Sequence, residues 1–244
     1  MTFLPLADMP IIEPSTQKAT NSMDRDTFFQ LVANRPAEDL EKLQFAYWLA
    51  KEGHQKQTRD SGERYFEHPR RVALKLIRSG YLSTDVLVLA LLHDIVEDTQ
   101  TPLKVIVNLF GAHIWAGLNL LSKKVPNFDP VTGMNIGRVS KELGVYFAAI
   151  ADGPREVRLV KIADRLDNLQ DVASFTPERR QRQIDETMKY ILPIATQTCP
   201  IFAKELNAIC EQYKAPTLAA QYLSAAFLFQ KDMLQPCHGW PHFD

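Results

Sequence analysis

The segment from Val86 to Asp98 constrains this chain more than any other stretch. Every position from Val86 to Leu92 is apolar, and a helix that is apolar on all sides is stable only when other elements enclose it. The polar residues that follow this run are one histidine and three acids: His93, Asp94, Glu97 and Asp98. Acids this close together in a poorly solvated place repel one another unless a positive charge lies among them. The segment therefore predicts a buried helix that ends at a divalent metal site.

We expect one unbroken helix from Thr84 to Glu97. Its acids Asp94, Glu97 and Asp98 would then share a face, because they are three and four residues apart. Acids at a helix C-terminus also oppose the helix dipole. A local preference broken without structural gain indicates function.

The rest of the chain has a helical pattern as well. Apolar residues recur at spacings of three and four from Ala37 to Gly53 and from Arg155 to Ala173. Further helices are expected at three places: from Pro69 to Ile77, after Thr101-Pro102 and after Thr176-Pro177. No useful alternating strand pattern is present, and the stretch from Val125 to Gly133 is interpreted as a linker. The sequence therefore predicts an all-α helical bundle.

Three regions follow from this pattern. Residues 1–36 are rich in proline and are expected to form an N-terminal arm, while residues 37–175 form the domain that carries the site. Residues 176–244 are expected to form C-terminal helices that pack on the same domain and end in a flexible tail. Cys237, His238 and His242 lie in that tail among prolines and a glycine, so no second metal site is expected there.

Composition excludes several classes of protein. The formal net charge is −1, so bulk binding to a nucleic-acid backbone is not expected. No apolar run reaches membrane-spanning length, and the N-terminus has no signal-peptide pattern. The three cysteines have no paired spacing, which is typical of a reducing compartment. We therefore expect a cytoplasmic globular protein.

Two residues from other helices complete a candidate metal site. Asp164 lies on a polar line beside the apolar stripe of its helix, where a carboxylate needs a partner. His68 stands at a predicted helix start, directly before Pro69. With His93 and Asp94 they would offer nitrogen and oxygen ligands to manganese, iron, zinc or magnesium. Taken singly, His68 also reads as a packing residue and Asp164 as an ion-pair partner of a neighbouring cation.

Three blocks of sequence occur in a fixed order: Tyr65-Phe66-Glu67-His68-Pro69, Ala90 to Thr99, and Lys161 to Leu169. Arg59 and Ser61-Gly62-Glu63 precede the first block. These blocks resemble the hydrolase domain of RelA/SpoT homologues, a member of the HD superfamily of metal-dependent phosphohydrolases. The resemblance covers roughly residues 40 to 175 and is specific because the blocks are extended and ordered.

The resemblance implies hydrolysis of the 3′-pyrophosphate of the guanosine alarmones (p)ppGpp, giving GDP or GTP and pyrophosphate. It implies Mn²⁺ held by four residues: His68, His93, Asp94 and Asp164. Glu97 and Asp98 match the acidic pair near the attacking water. Too few residues follow Asp171 for the synthetase domain of longer members, so a stand-alone small alarmone hydrolase is expected.

The resemblance also implies a set of substrate contacts: Arg59, Ser61, Lys161, Asn168 and Asp171. Arg59 matches the residue that packs on the guanine base, and its planar cation can stack on a purine. Asn168 matches a residue that contacts the sugar. Lys161 is a candidate for a pyrophosphate contact because of its position one turn before Asp164, although surface lysines are more often ordinary solvated charges.

Several alternatives stay open. Asp60 stands where many family members have a basic residue, so the base could be adenine rather than guanine. The chain could be another HD phosphohydrolase that acts on nucleoside monophosphates, or a module that binds alarmone without turnover. Intact Glu97 and Asp98 favour an enzyme over that module. A toxic alarmone synthetase is one candidate partner of such an enzyme. The sequence does not determine the oligomeric state.

Overall fold

The computed structural model describes residues 25–128 and 135–214, and within these ranges it is largely helical. The helices are α1, which includes residues 25–32, α2 (Ala37–Gly53), α3 (Glu67–Arg78), α4 (Thr84–Leu92), α5 (Ile95–Asp98), α6 (Leu103–Phe110), α7 (Ala112–Leu121), α8 (Leu143–Ala151), α9 (Arg155–Asn168), α10 (Pro177–Glu186), α11 (Leu192–Thr198) and α12 (Pro200–Tyr213). A 3₁₀ turn at Val172–Ser174 follows α9, and a π turn at Thr187–Ile191 joins α10 to α11. The predicted all-α bundle is confirmed.

Helix α4 lies in the middle of the core. All seven residues from Val86 to Leu92 are buried, and α4 packs against α2, α3, α7 and α9. Burying one large aliphatic side chain contributes about 1.5–3 kcal/mol, so this helix is firmly placed. The C-terminal end of α4 is therefore rigidly positioned, and so are the polar residues that directly follow it.

The chain leaves the helical path directly after α4. Helix α4 ends at Leu92, and Asp94 is the N-cap of the short helix α5. The amides of Glu97 and Asp98 donate to the main-chain oxygen of Asp94 at 3.1 and 2.8 Å. The prediction of an unbroken helix from Thr84 to Glu97 is thus wrong. The dipole argument fails with it, because the acids lie around a helix N-terminus, where negative charge is favoured.

The start of the predicted linker, residues 125–128, belongs to a β-hairpin. Strands β1 (Lys124–Phe128) and β2 (Asn135–Ser140) pair antiparallel, with Lys124 opposite Ser140. The linker prediction missed this hairpin because Pro126 and Gly137 are poor strand formers. Gly137 has a φ of 124°, a backbone conformation that favours glycine.

The N-terminal and C-terminal regions are only partly described. Phe28 and Val32 of α1 are buried in the core, with Phe28 packed against Tyr47, so this part of the predicted arm is packed on the domain. At the other end, α11 and α12 pack on α9, and Glu186 of α10 pairs with Arg165 of α9. The cluster Cys237, His238 and His242 lies outside the described residues. No helix of the described chain is both long enough and apolar enough to cross a membrane.

Some element boundaries differ from the prediction. Helix α9 ends at Asn168, so the segment up to Ala173 is not one helix. Thr101 does not cap α6, whose N-cap is Pro102. Thr176 does cap α10 as predicted, because its hydroxyl accepts a hydrogen bond from the Arg179 amide at 3.3 Å.

Candidate metal centre

Two buried imidazoles meet where α3 and the end of α4 come together. His68 is in the first turn of α3, and His93 directly follows α4. The His68 Nδ1 lies 2.7 Å from Asp167 Oδ2, and the His93 Nδ1 lies 2.9 Å from the main-chain oxygen of Ala90. Both partners are acceptors, so each Nδ1 carries a hydrogen and donates it. Each imidazole therefore turns its Nε2 toward the other ring.

The two Nε2 atoms are 3.2 Å apart. With both Nδ1 atoms protonated, a neutral His68 and a neutral His93 direct lone pairs at each other. Such an arrangement is unfavourable unless a cation, either a proton or a metal ion, lies between them. Ligating histidines typically donate the other ring nitrogen to a carboxylate or a carbonyl, as both rings do here. The donor arrangement therefore fits a metal ion.

Two carboxylates complete the cluster. Asp94 Oδ2 lies 3.2 Å from His93 Nε2 and 3.8 Å from His68 Nε2. Asp164 Oδ1 lies 3.1 Å from His68 Nε2 and 3.7 Å from His93 Nε2. The ligand atoms of His68, His93 and Asp94 all lie within 4.8 Å of one another. The structure thus brings together the four predicted metal ligands from α3, α9 and the α4–α5 turn.

The electrostatics of the cluster favour positive charge. Burial opposes protonation of His93, but the Asp94 and Asp164 carboxylates together outweigh it and raise the pKa of His93 well above its ordinary value. Burial would raise the pKa of Asp164, yet the Lys161 ammonium and the imidazoles hold that pKa well below its usual range. The field that attracts a proton to His93 equally favours a divalent cation.

Tyr65 connects the ligands to the acidic pair. Its hydroxyl lies 2.8 Å from Asp94 Oδ2 and 2.8 Å from Asp98 Oδ2. The ring of Tyr65 stacks on His54 with 4.7 Å between ring centroids. Burial and the Asp94 charge raise the pKa of Asp98 above its ordinary value. Asp98 is thereby linked to the candidate metal ligand Asp94 through one shared hydroxyl.

Glu97 faces a different neighbour. Its Oε2 accepts a hydrogen bond from the Lys123 amide at 2.7 Å, at the base of the hairpin. The predicted shared face of Asp94, Glu97 and Asp98 is therefore only partly realised: Asp98 is joined to Asp94 through Tyr65, whereas Glu97 is held by the hairpin.

A chain of hydrogen bonds leads from Asp164 to Arg59. Asn168 Nδ2 donates to Asp164 Oδ1 at 2.6 Å, and Arg59 donates to Asn168 Oδ1 at 2.6 Å. Lys161 donates to the other Asp164 oxygen at 2.9 Å. The structure thus brings Arg59, Lys161 and Asn168, three of the predicted substrate contacts, next to the candidate ligand Asp164. Ser61 and Asp171 are exposed, and within the described chain neither side chain is hydrogen bonded to another predicted site residue.

A cavity of about 630 Å³, which includes space open to solvent, lies beside Asp164. Its lining contains predicted site residues and several further cations and aromatic residues: Lys123, Tyr146, Lys161, Asp164, Arg165, Asn168, Phe175, Arg179, Gln183 and Glu186. The lining is rich in cations, which suits an anionic ligand such as a phosphorylated nucleotide.

The prediction missed two residues that shape the centre. Asp167 accepts from His68 and also contacts Arg71 and Lys75 at 3.1 and 3.2 Å. Tyr65 lies in the first of the three sequence blocks but had no predicted role. A signal for Asp167 was present, since it lies three residues after Asp164 and therefore near the same face of α9.

The comparisons with known proteins agree with this geometry. Residues 46–123 match the family model described as HD domain. The chain is 35% identical over 161 residues to the guanosine-3′,5′-bis(diphosphate) 3′-pyrophosphohydrolase of Aquifex aeolicus (strain VF5), a match that covers 64% of this chain and 21% of the relative. It is 32% identical over 164 residues to the bifunctional (p)ppGpp synthase/hydrolase SpoT of Escherichia coli (strain K12). This match covers 66% of this chain and 22% of the relative. The chain thus spans about a fifth of the length of these curated relatives.

A solved structure is also similar to this chain, and the alignment covers nearly all of that structure. It is described as a metazoan ortholog of SpoT that hydrolyzes ppGpp, and it aligns with a TM-score of 0.58 at 25% identity. The alignment covers 74% of this chain and 97% of that one. Residues 46–123 therefore contain an HD domain, and the chain around it is similar to the RelA/SpoT hydrolases named above.

Proposed function

We propose that this protein is a metal-dependent (p)ppGpp 3′-pyrophosphohydrolase. It would release pyrophosphate from the 3′ position of guanosine tetra- or pentaphosphate and leave GDP or GTP. The observation that carries this proposal is the meeting of two imidazole Nε2 atoms with two carboxylates beside a cation-lined cavity. The names of the relatives from Aquifex aeolicus and Escherichia coli support the same substrate.

The proposed metal is Mn²⁺, held by four residues: His68, His93, Asp94 and Asp164. Imidazole nitrogen and carboxylate oxygen together suit a cation of intermediate hardness. When bound, such a cation lowers the pKa of a water ligand and offsets the charge of phosphate oxygens. The hydrogen bonds from His68 to Asp167 and from His93 to Ala90 keep both imidazoles in the ligating tautomer.

The acidic pair is assigned to the attacking water. We assign to Glu97 the acceptance of its proton, since the Lys123 amide fixes the orientation of this carboxylate. Asp98 orients the same water, and the Tyr65 hydroxyl holds Asp98 next to the ligand Asp94.

The remaining site residues are assigned to the nucleotide. Arg59 packs on the base, and its guanidinium is held by a hydrogen bond to Asn168, which lines the cavity. Asn168 contacts the sugar, and Lys161 neutralises phosphate charge next to Asp164. Ser61 and Asp171 are further proposed contacts, made by exposed side chains.

The proposal extends to the compartment. Cys199 and Cys210 are buried free thiols. Unpaired thiols are usual in a reducing compartment, so we place the protein in the cytoplasm.

The decisive experiment incubates the purified protein with Mn²⁺ and guanosine tetraphosphate and follows the release of GDP and pyrophosphate. We expect turnover that a chelator abolishes and added Mn²⁺ restores. Failure to hydrolyse both this nucleotide and its adenosine analogue, in protein shown to bind metal, would overturn the proposal.

A matched pair of variants separates the centre from general effects of losing a histidine. His93→Gln removes a buried ligand and should abolish turnover. His113→Gln removes an exposed histidine whose ring pairs with Asp85, away from the proposed ligands, and it should retain full activity.

A further inference from the structure

The cavity beside Asp164 contains a cation to which the proposed reaction gives no role. Arg179, in the first turns of α10, lines this cavity together with Phe175 and the site residues Lys161 and Asn168. It lies outside the sequence blocks that predicted substrate contacts. Its surroundings differ from those of the other cations in the same lining.

Those other cations are held by acids that are buried or nearly so. Lys161 lies 2.9 Å from Asp164, and Arg165 pairs with Glu186. Lys123 lies 3.6 Å from the same Glu186. The side chains of Asp164 and Glu186 are only 8% and 10% exposed. Removing a cation from such a partner leaves a buried charge uncompensated, so these pairs are costly to break.

Arg179 has an exposed partner instead. Its Nη1 lies 2.5 Å from Asp60 Oδ2, and the Asp60 side chain is 81% exposed. Exposed ion pairs contribute little to stability, because water and salt screen both charges. A phosphate group can therefore replace Asp60 at small cost, and a guanidinium can donate two parallel hydrogen bonds to it.

Phe175 limits the movement of this arginine. The guanidinium carbon of Arg179 lies 4.2 Å from the centroid of the Phe175 ring. A guanidinium stacked on an aromatic face loses less conformational entropy when it binds a ligand. Arg179 is thus already restrained at the cavity before any ligand binds.

The contacts place Arg179 at the far end of a series that starts at the metal ligands. Asp164 is bonded to Asn168, and Asn168 to Arg59. Asp60, the next residue after Arg59, is paired with Arg179. The bond to be hydrolysed must reach Asp164, so Arg179 is suited to a phosphate group at the other end of the nucleotide.

We infer that Arg179 is a specificity-determining residue that binds the phosphate groups remote from the hydrolysed bond, and that Asp60 competes with them for its guanidinium. This inference rests on the proposed function. It also gives Asp60 a role in the structure, because this exposed acid faces a cation supplied by α10.

The test compares two substrates, guanosine 5′-diphosphate 3′-diphosphate and a guanosine 3′-diphosphate with a free 5′-hydroxyl. Arg179→Gln should raise KM for the first about tenfold, the scale of one charge-assisted contact, with kcat unchanged. It should change KM for the second less than about twofold, and Arg179→Lys should restore part of the loss. Asp60→Asn should lower KM for the first substrate, and this gain should vanish in the Asp60→Asn/Arg179→Gln double variant.

Arg182→Gln is the matched control, because Arg182 is an exposed arginine on the same helix that does not line the cavity. Equal KM increases for both substrates, or a gain from Asp60→Asn that persists without Arg179, would overturn the inference while the proposed function stands. If the wild type hydrolyses neither nucleotide, the proposed function fails. Calorimetric Kd values for the same nucleotides then decide the inference, and it is lost if the wild type and Arg179→Gln bind equally or the wild type does not bind.

Discussion

The main-chain amide of Lys123 donates a hydrogen bond to the Glu97 carboxylate, with 2.7 Å between the nitrogen and Oε2. Lys123 directly precedes β1, so the base of the hairpin sets the orientation of this acid. The second strand contacts α5, the helix that carries Glu97. Arg138 of β2 donates to the main-chain oxygens of Val96, Glu97 and Thr99 at the end of this helix. The last carbonyls of a helix have no partner within it, and here Arg138 supplies one from the hairpin.

We therefore expect Arg138 to position the acidic pair without touching the metal ligands. Arg138→Gln should lower kcat about tenfold, since α5 loses its charge-assisted cap. The affinity for Mn²⁺, measured by calorimetry, should stay unchanged, and Arg138→Lys should recover part of kcat. Arg35→Gln is the control, because Arg35 also donates to a main-chain oxygen but at the opposite end of α4, near Thr84. Loss of Mn²⁺ binding in Arg138→Gln would contradict a positioning role.

The Tyr65 hydroxyl predicts a change in pH dependence. It has one hydrogen for two carboxylates, those of Asp94 and Asp98, and its bond to Asp98 lowers a pKa that burial and Asp94 raise. Tyr65→Phe keeps the ring stack on His54 and removes this donor, so the pKa of Asp98 should rise further. The role proposed for Asp98 requires a carboxylate, so activity should be lost as the pH falls through the pKa of Asp98. The acid limb of kcat/KM should accordingly move to higher pH.

The control for this variant is Tyr190→Phe. Tyr190 stacks on Phe147, and its hydroxyl makes no hydrogen bond within the described chain. We expect Tyr65→Phe to lower kcat by about threefold to tenfold at neutral pH, while Tyr190→Phe leaves the profile in place. Identical pH profiles for the wild type and Tyr65→Phe would exclude the role given to the hydroxyl.

The sequence predicted which residues would meet more reliably than it predicted the local backbone. The apolar run before His93 and the polar line through Asp164 each indicate a residue at the boundary of the hydrophobic core. Two such residues on helices that pack in the same core can lie close together. The break after Leu92 left no such mark, because neither His93 nor Asp94 is a helix breaker. The turn there positions Asp94 at the start of α5, a consequence of tertiary packing that periodicity does not record.

The pattern of apolar and polar residues along the sequence did not predict contacts between distant parts of the chain. Asp60 and Arg179 are 119 residues apart in sequence, and His68 and Asp167 are 99 apart. Each residue taken alone reads as an ordinary surface charge or helix residue. Only the packing of α3 against α9, and of α10 near the loop before α3, turns them into partners.

Metal binding should be visible as stabilisation. A ligand at about 100 times its Kd stabilises the folded state by about 2.7 kcal/mol, so Mn²⁺ should raise the Tm of the wild type and a chelator should reverse the shift. Asp94→Ala should abolish the shift, whereas Asp85→Ala, at an exposed acid, should keep it. Glu97→Ala should keep the shift and lose most of the turnover. A shift that survives Asp94→Ala would contradict the ligand assignment.

Asp167 allows a test that needs neither substrate nor metal. Its side chain is fully buried and lies 2.7 Å from His68 Nδ1 and 3.1 Å from Arg71 Nε. Burial alone would raise the pKa of this carboxyl, but the bonds from His68 and Arg71 outweigh it and hold the pKa below the ordinary value. A pKa lowered by folding means that the ionised form contributes stability above the unfolded-state value of about 3.9. That contribution is lost as the pH falls through the folded-state value.

We therefore expect Asp167→Asn to lower the free energy of unfolding by about 3 kcal/mol at neutral pH, the scale for removing one partner of a buried charge pair. The difference from the wild type should shrink once the pH falls below about 4. Urea unfolding in the presence of a chelator measures both quantities without a metal contribution. Asp85→Asn, at the exposed pair with His113, should cost less than about 1 kcal/mol. A gap that stays constant into acid would mean that Asp167 stabilises the fold by packing rather than by charge.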